Sequence, residues 1–165
     1  MEDARVATGA ELARVAELAR ELRSELREER GGKLWETREA RPEPLDAAVE
    51  ELSRRDDALV VVGTTEDAVV GYGIARWEPL RDGGRLGVID EIYVEPEARA
   101  VGVGELVVER LVAFCADAGC VGVDATALPG HRQAKNFFER AGFTARSLVM
   151  HKASSGSVRN MSEEP

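Results

Sequence analysis

Cysteine is scarce in this chain of 165 residues, with only Cys115 and Cys120 present. Cys115 falls within a predicted helix and Cys120 directly after Gly119, a pattern that supports neither a disulfide framework nor a metal site. Both read as small reduced residues near the core. No stretch approaches the roughly 18 uninterrupted apolar residues of a membrane span, and the N-terminus carries acidic residues where a signal peptide would have an apolar core. A cytoplasmic protein without a membrane partner is the expectation. Basic charge is in deficit as well: 22 Lys and Arg against 31 Asp and Glu leave a net charge of −9, which argues against a nucleic-acid partner. The acidity is compatible with a cationic substrate, but a plain solubility device accounts for it more simply.

What is present is the material of one domain. The length allows a full core and is too short for two ordinary domains, and an apolar fraction of 44% with 32% charged residues suits a globular protein. Residues 4–7 suit a short first strand, and Thr8 with Glu11 is a capping-box signal. Leu12, Val15, Leu18, Leu22 and Leu26 then form one apolar stripe, which predicts a helix over Gly9–Glu29 ended by Gly31-Gly32. A polar segment with Trp35 follows, and Pro42 and Pro44 introduce a second helix carrying Leu45, Ala48, Val49 and Leu52.

Strands over Ala58–Gly63, Ala68–Trp77 and Arg85–Val94, separated by turn residues, predict an antiparallel meander. The helix after Gly104 places Val107, Leu111, Phe114 and Ala118 on one face and ends at Gly119. The strand Val121–Ala127 behind it implies a parallel, right-handed crossover. A helix over Arg132–Arg140 and a last strand over Phe143–His151 complete the pattern, and residues 153–165 read as a disordered tail. The predicted fold class is α+β, a mixed and mainly antiparallel sheet flanked by helices, in a single domain over residues 1–152.

This chain is organised around the stretch from Tyr93 to Gly104. The apolar run Val88, Ile89, Ile92 and Val94 is stopped by Pro96, which cannot donate to a central ladder, and helical spacing begins at Val103. Between the two lies Arg-x-x-Gly-x-Gly, Arg99 to Gly104. Gly102 and Gly104 let the backbone approach a ligand closely, and the first amides of a helix lack internal partners and point outward. With the helix dipole they make an anion site, to which Arg99 can add a charge-assisted bond to a phosphate oxygen. The spacing is neither the dinucleotide fingerprint nor a Walker loop. Taken alone, Gly-x-Gly serves a tight turn as readily as a pyrophosphate.

At these residues the chain resembles the GCN5-related N-acetyltransferases (GNAT), whose signature Arg/Gln-x-x-Gly-x-Gly/Ala follows a strand end similar to Ile92-Tyr93-Val94-Glu95-Pro96. A second family segment is matched by Ala134 to Phe143, with Asn136, Phe137 and Phe138 inside it and Gly142 before the final Phe. The resemblance covers residues 58–151. It implies the GNAT-like fold, acetyl-CoA as co-substrate, an amine acceptor and, as one outcome common in the family, a homodimer. It further implies a cofactor seat made by Ile92, Tyr93, Val94, Arg99, Ala100, Val101, Gly102, Val103, Gly104, Asn136 and Phe138. The strands matching Glu91–Val94 and Val121–Ala127 are expected to splay, so that the main chain of Ile92 and Val94 pairs with the pantetheine amides.

Acetyl transfer to an amine needs no covalent enzyme intermediate, because a neutral amine attacks a thioester directly once both are held together. A group must accept the ammonium proton, directly or through water. Asp90 and Glu91 are the candidates, and since adjacent strand positions point to opposite faces, only one of them is expected to face the acceptor. By comparison with the family, Asp90 matches the position that acts on the amine and Glu91 a position that is often structural. Many members carry a Tyr general acid where this chain has Phe138, which leaves Tyr93, Tyr72 or His131 as substitutes. Two functions are therefore open: an N-acetyltransferase for a small or peptidic amine, favoured by the phosphate turn and the paired carboxylates, and an acyl-CoA-binding regulatory module, favoured by Phe138.

Overall fold

A computed structural model describes residues 1–154; most of the expected tail, from residue 155 on, lies outside them. Five strands form one sheet: β1 (Glu2–Val6), β2 (Ala58–Thr65), β3 (Ala68–Pro79), β4 (Arg85–Val94) and β5 (Val123–Ala125). They lie side by side in chain order. The first four pair antiparallel and β5 joins β4 in parallel, as the meander and crossover predict. The helices are α1 (Leu12–Arg27), α2 (Gly32–Arg38), α3 (Leu45–Ser53), α4 (Val103–Asp117) and α5 (Arg132–Arg140). The described chain divides into two compact units, residues 1–22 with 41–126, and residues 23–40 with 127–154.

In the first unit α4 covers one face of the sheet. A Cβ on Gly73 would meet Val107 and Leu111 at 2.6 and 2.7 Å, and one on Gly87 would meet Cys115 Sγ at 2.5 Å. A helix can come this close to a sheet only where the strand presents no side chain. The contact buries Val103, Val107, Leu111 and Cys115 completely, and each large apolar side chain removed from water contributes about 1.5–3 kcal/mol. On the opposite face Tyr72 and Ile74 are fully buried. α1 begins after a 3-10 turn at Gly9–Glu11, where Thr8 and Glu11 form the expected capping box. Arg5 binds both Glu11 oxygens, at 2.6 and 2.8 Å.

Three local expectations are corrected. The segment with Trp35, read only as polar and given no element, is the helix α2 (Gly32–Arg38), entered through Gly31 at φ 80°; seven residues are too few to show an apolar period. β5 spans only Val123–Ala125 of the expected Val121–Ala127, because its parallel pairing stops opposite Ile89. The expected strand over Phe143–His151 has no regular structure. Its Leu148, Val149 and Met150 are 81, 88 and 87% exposed. A β-prone stretch without a neighbouring strand has no ladder to hold it.

Candidate active site

The site begins with an irregularity in β4. Ile74 pairs with Glu91 while Ala75 pairs with Ile89, so Asp90 is the extra residue of a β-bulge. A bulge shifts the alternation of a strand by one residue. Before it, the odd-numbered residues turn their main chain toward β5: Gly87 N–H donates to Gly122 O at 2.9 Å and Arg85 O accepts from Val121 N–H at 2.8 Å. After it, Glu95 N–H donates to Val70 O on the β3 side, so Ile92 and Val94 now turn theirs toward the side that β5 has left. Among the described residues no strand pairs with 90–94 on that side.

This bulge also overturns the expectation that Asp90 and Glu91 point to opposite faces. Arg41, just ahead of α3, binds both: Nη1 donates to Glu91 Oε2, and Nη2 donates to Asp90 Oδ2 at 3.1 Å. Arg76 on β3 donates through Nε to Asp90 Oδ2 at 3.0 Å and to Oδ1 at 3.3 Å, and through Nη1 to Glu78. The Tyr72 hydroxyl donates to Glu91 Oε1 at 3.0 Å. The Arg41, Glu91 and Asp90 side chains are 17, 9 and 22% exposed, so these are charge-assisted bonds in a largely dehydrated setting, stronger than surface pairs. Burial holds the Arg41 pKa below its ordinary value against the pull of Asp90. Burial opposes the charge of Arg76 too, but its bonds to Glu78 and Asp90 outweigh that and raise its pKa.

Chemically the two carboxylates differ. Each Glu91 oxygen accepts its own hydrogen bond, from Arg41 and from the Tyr72 hydroxyl, whereas Asp90 Oδ1 has a single longer contact from Arg76 at 3.3 Å. Arg41 and Arg76 were not singled out from the sequence. Arg76 had a signal, a charge inside the apolar strand Gly71–Trp77; Arg41, in a polar segment before Pro42, had none.

At the end of β4 the chain passes through a 3-10 turn at Pro96–Ala98 into α4. Ala100 and Gly102 both take left-handed backbone, at φ 76° and 92°. A left-handed alanine is strained by about 1–2 kcal/mol. The first intrahelical bond runs from Leu106 N–H to Gly102 O, so the amides of Val103, Gly104 and Glu105 precede the helical ladder, as at the start of any helix. Val103 is buried and Val101 half-exposed. Arg99 folds back: its Nε donates to Val94 O at 2.8 Å and its guanidinium lies 5.3 Å from the Tyr93 ring centroid. It therefore braces the turn from the open side of β4.

In the second unit, Asn136 is exposed on α5 and Phe138 is buried between Phe137 and Phe143, with centroids at 5.4 and 5.2 Å. Phe138 is thus the centre of an aromatic cluster. His131 stands at the start of α5 without a side-chain bond to the helix, its Nε2 4.0 Å from Glu25 Oε2. Of the three substitutes for the general acid, Tyr72 has its hydroxyl committed to Glu91 and no exposed surface.

Residues 16–143 match the defining pattern of the acetyltransferase (GNAT) family, and the chain belongs to that family. It is 31% identical over 113 residues to glucosamine 6-phosphate N-acetyltransferase 1 of Oryza sativa subsp. japonica, covering 66% of this chain and 67% of that protein. To glucosamine 6-phosphate N-acetyltransferase of Arabidopsis thaliana it is 30% identical over 126 residues, covering 73% and 83%. The crystal structure of glucosamine-6-phosphate N-acetyltransferase from Arabidopsis thaliana superposes with a TM-score of 0.66 at 26% identity, over 93% of this chain and 98% of that one. The protein is an acetyl-CoA-dependent N-acetyltransferase, with acetyl-CoA as co-substrate.

Proposed function

We propose that the protein moves the acetyl group of acetyl-CoA to a primary amine of a small molecule or peptide by direct attack. The observation that carries this reading is the open half of β4, where Ile92 and Val94 present main-chain groups beside the left-handed turn that opens α4. The amides of Val103 and Gly104, with the turn from Arg99 to Gly102, would hold the pyrophosphate, and Ile92 and Val94 would pair with the pantetheine amides. Tyr93, buried beneath the Arg99 guanidinium, supports the turn. The family resemblance adds Asn136 and Phe138 to the cofactor contacts and keeps residues 1–152 as one catalytic domain; the reading of β4 does not depend on them.

In the reaction, the amine nitrogen bonds to the acetyl carbonyl carbon, the carbon–sulfur bond breaks, and the coenzyme A thiolate departs with the bonding pair. The thiolate is a fair leaving group, with a pKa near that of cysteine, about 8.5, which lets the reaction proceed with Phe138 where a hydroxyl donor would stand. The ammonium first gives one proton to Asp90 or, through it, to water, because Asp90 Oδ1 is the less occupied carboxylate oxygen, and the second proton, shed by the nitrogen as the amide forms, goes to the departing thiolate; Glu91 holds the cluster together.

Amino-sugar phosphates are the first acceptors to test, since the relatives above are named for one. Calorimetric titration with acetyl-CoA and with free coenzyme A, followed by thiol release across an amine panel, tests the reading. Micromolar binding and amine-dependent release are expected. Absence of binding at millimolar acetyl-CoA would overturn it.

A further inference from the structure

Two carboxylates on the same side of one strand are a costly arrangement. Each raises the other's affinity for a proton, and their repulsion drives the side chains apart unless a cation sits between them. The bulge at Asp90 creates this situation, and the cation comes from far away in sequence: Arg41 lies 49 residues before Asp90 and 50 before Glu91. A guanidinium fork spans two acceptors in a fixed plane, which the point charge of a lysine ammonium does not.

The contacts set an order of support. Glu91, closed off by Tyr72 and Arg41, fixes the Arg41 guanidinium; Arg41 in turn fixes Asp90 Oδ2, and Oδ1 is left facing the weakest contact of the cluster. We propose that Arg41 is a positioning residue for acetyl transfer, holding the Asp90 and Glu91 carboxylates side by side and setting the direction of the Asp90 oxygen that meets the acceptor amine. This rests on the assignment of Asp90 made above. Among the described residues, charged or titratable groups near the pair include Arg76, Glu78 and Tyr72 from β3, and the mutually bonded Arg55 and Asp57 in the turn before β2, within electrostatic range of Asp90 and Arg76 respectively.

The test is amine-dependent thiol release by the wild type, Arg41→Lys and Arg41→Met from pH 5 to 9, with acetyl-CoA affinity measured alongside. Arg41→Met is expected to lower kcat about tenfold and to move the acid limb of the pH–rate profile upward, the direction expected when a cation is taken from beside a proton acceptor. Acetyl-CoA affinity should stay within about twofold. Arg41→Lys restores the charge but not the fork, so the limb should return while kcat stays about threefold low.

An Arg41→Met enzyme with wild-type kcat and an unmoved limb would overturn the proposal, as would equal kcat losses in both variants with the limb in place, the mark of mere packing. Should Arg41→Met not fold, Arg41→Lys decides: a lower kcat with the wild-type limb supports the role, and wild-type kcat refutes it. Failure of the wild type itself to release thiol with any amine would instead overturn the reading of the site, and the proposal with it.

Discussion

Residues 87–89 of β4 pair with β3 on one side and β5 on the other, whereas residues 91–94 pair with β3 alone. One strand thus has a closed half and an open half, separated by a single extra residue. The closed half satisfies its backbone within the sheet and packs against α4 through Gly87. The open half keeps Ile92 and Val94 turned toward a side without a strand and gathers Asp90, Glu91, Arg41, Arg76 and Tyr72 on the face away from α4. The difference teaches that the bulge converts a structural strand into a binding strand without a change of element. It follows that substitutions in the closed half should act on stability and those at or beyond the bulge on binding and turnover.

The largest effect is expected in the closed half. Gly87→Val places carbon atoms where Cys115 Sγ and Cβ stand 2.5 and 2.8 Å from an added Cβ; α4 must shift, at a cost of about 3 kcal/mol, the upper part of the overpacking range. Urea denaturation checks this, and an unchanged midpoint would break the division of the strand. Next, Gly104→Trp should weaken acetyl-CoA binding about a hundredfold, or roughly 2.7 kcal/mol, with a preserved melting temperature. Unaltered affinity by calorimetry would remove the turn from the cofactor seat.

A smaller change is expected at the bulge. Asp90→Asn should lower kcat about tenfold or more, in the range of a lost proton acceptor, and leave acetyl-CoA affinity within about twofold. An unaltered pH–rate profile in that variant would move the role to Glu91 or to bulk water. The smallest effect concerns pH. Burial under the closed half, with Cys120 nearby, pushes the Cys115 thiol up to about 11 from 9.0. The folded state then holds this proton more tightly than the unfolded chain, so stability is fully present below pH 9 and declines as pH rises toward 11. Denaturation midpoints of wild type and Cys115→Ala at pH 8 and 10.5 isolate this contribution: the wild type should lose more between the two.

Much of this was legible in advance. Val107 and Leu111 at helical spacing, the turn residues between the meander strands, and the Arg99–Gly104 motif at a change of period all report local preferences, and local preferences are written in neighbouring residues. The Thr8–Glu11 capping box was readable for the same reason. The failures share a different cause. The expectation that Asp90 and Glu91 part to opposite faces assumed an unbroken alternation, and a bulge leaves no mark in a strand whose residues are all compatible with either register. Phe143–His151 has the composition of a strand, but a strand exists only with a partner.

The sequence by itself therefore determined the elements, the meander, the crossover and the turn that marks the family, because helix periods, turn residues and caps act within a few positions of the chain. Only the tertiary structure decided which half of β4 stays open, that both carboxylates share a face, and that Arg41, 49 residues from Asp90, closes the cluster. Those outcomes depend on strand register and on charges meeting in a dehydrated setting, where the energy of each group is set by neighbours that lie far away along the chain.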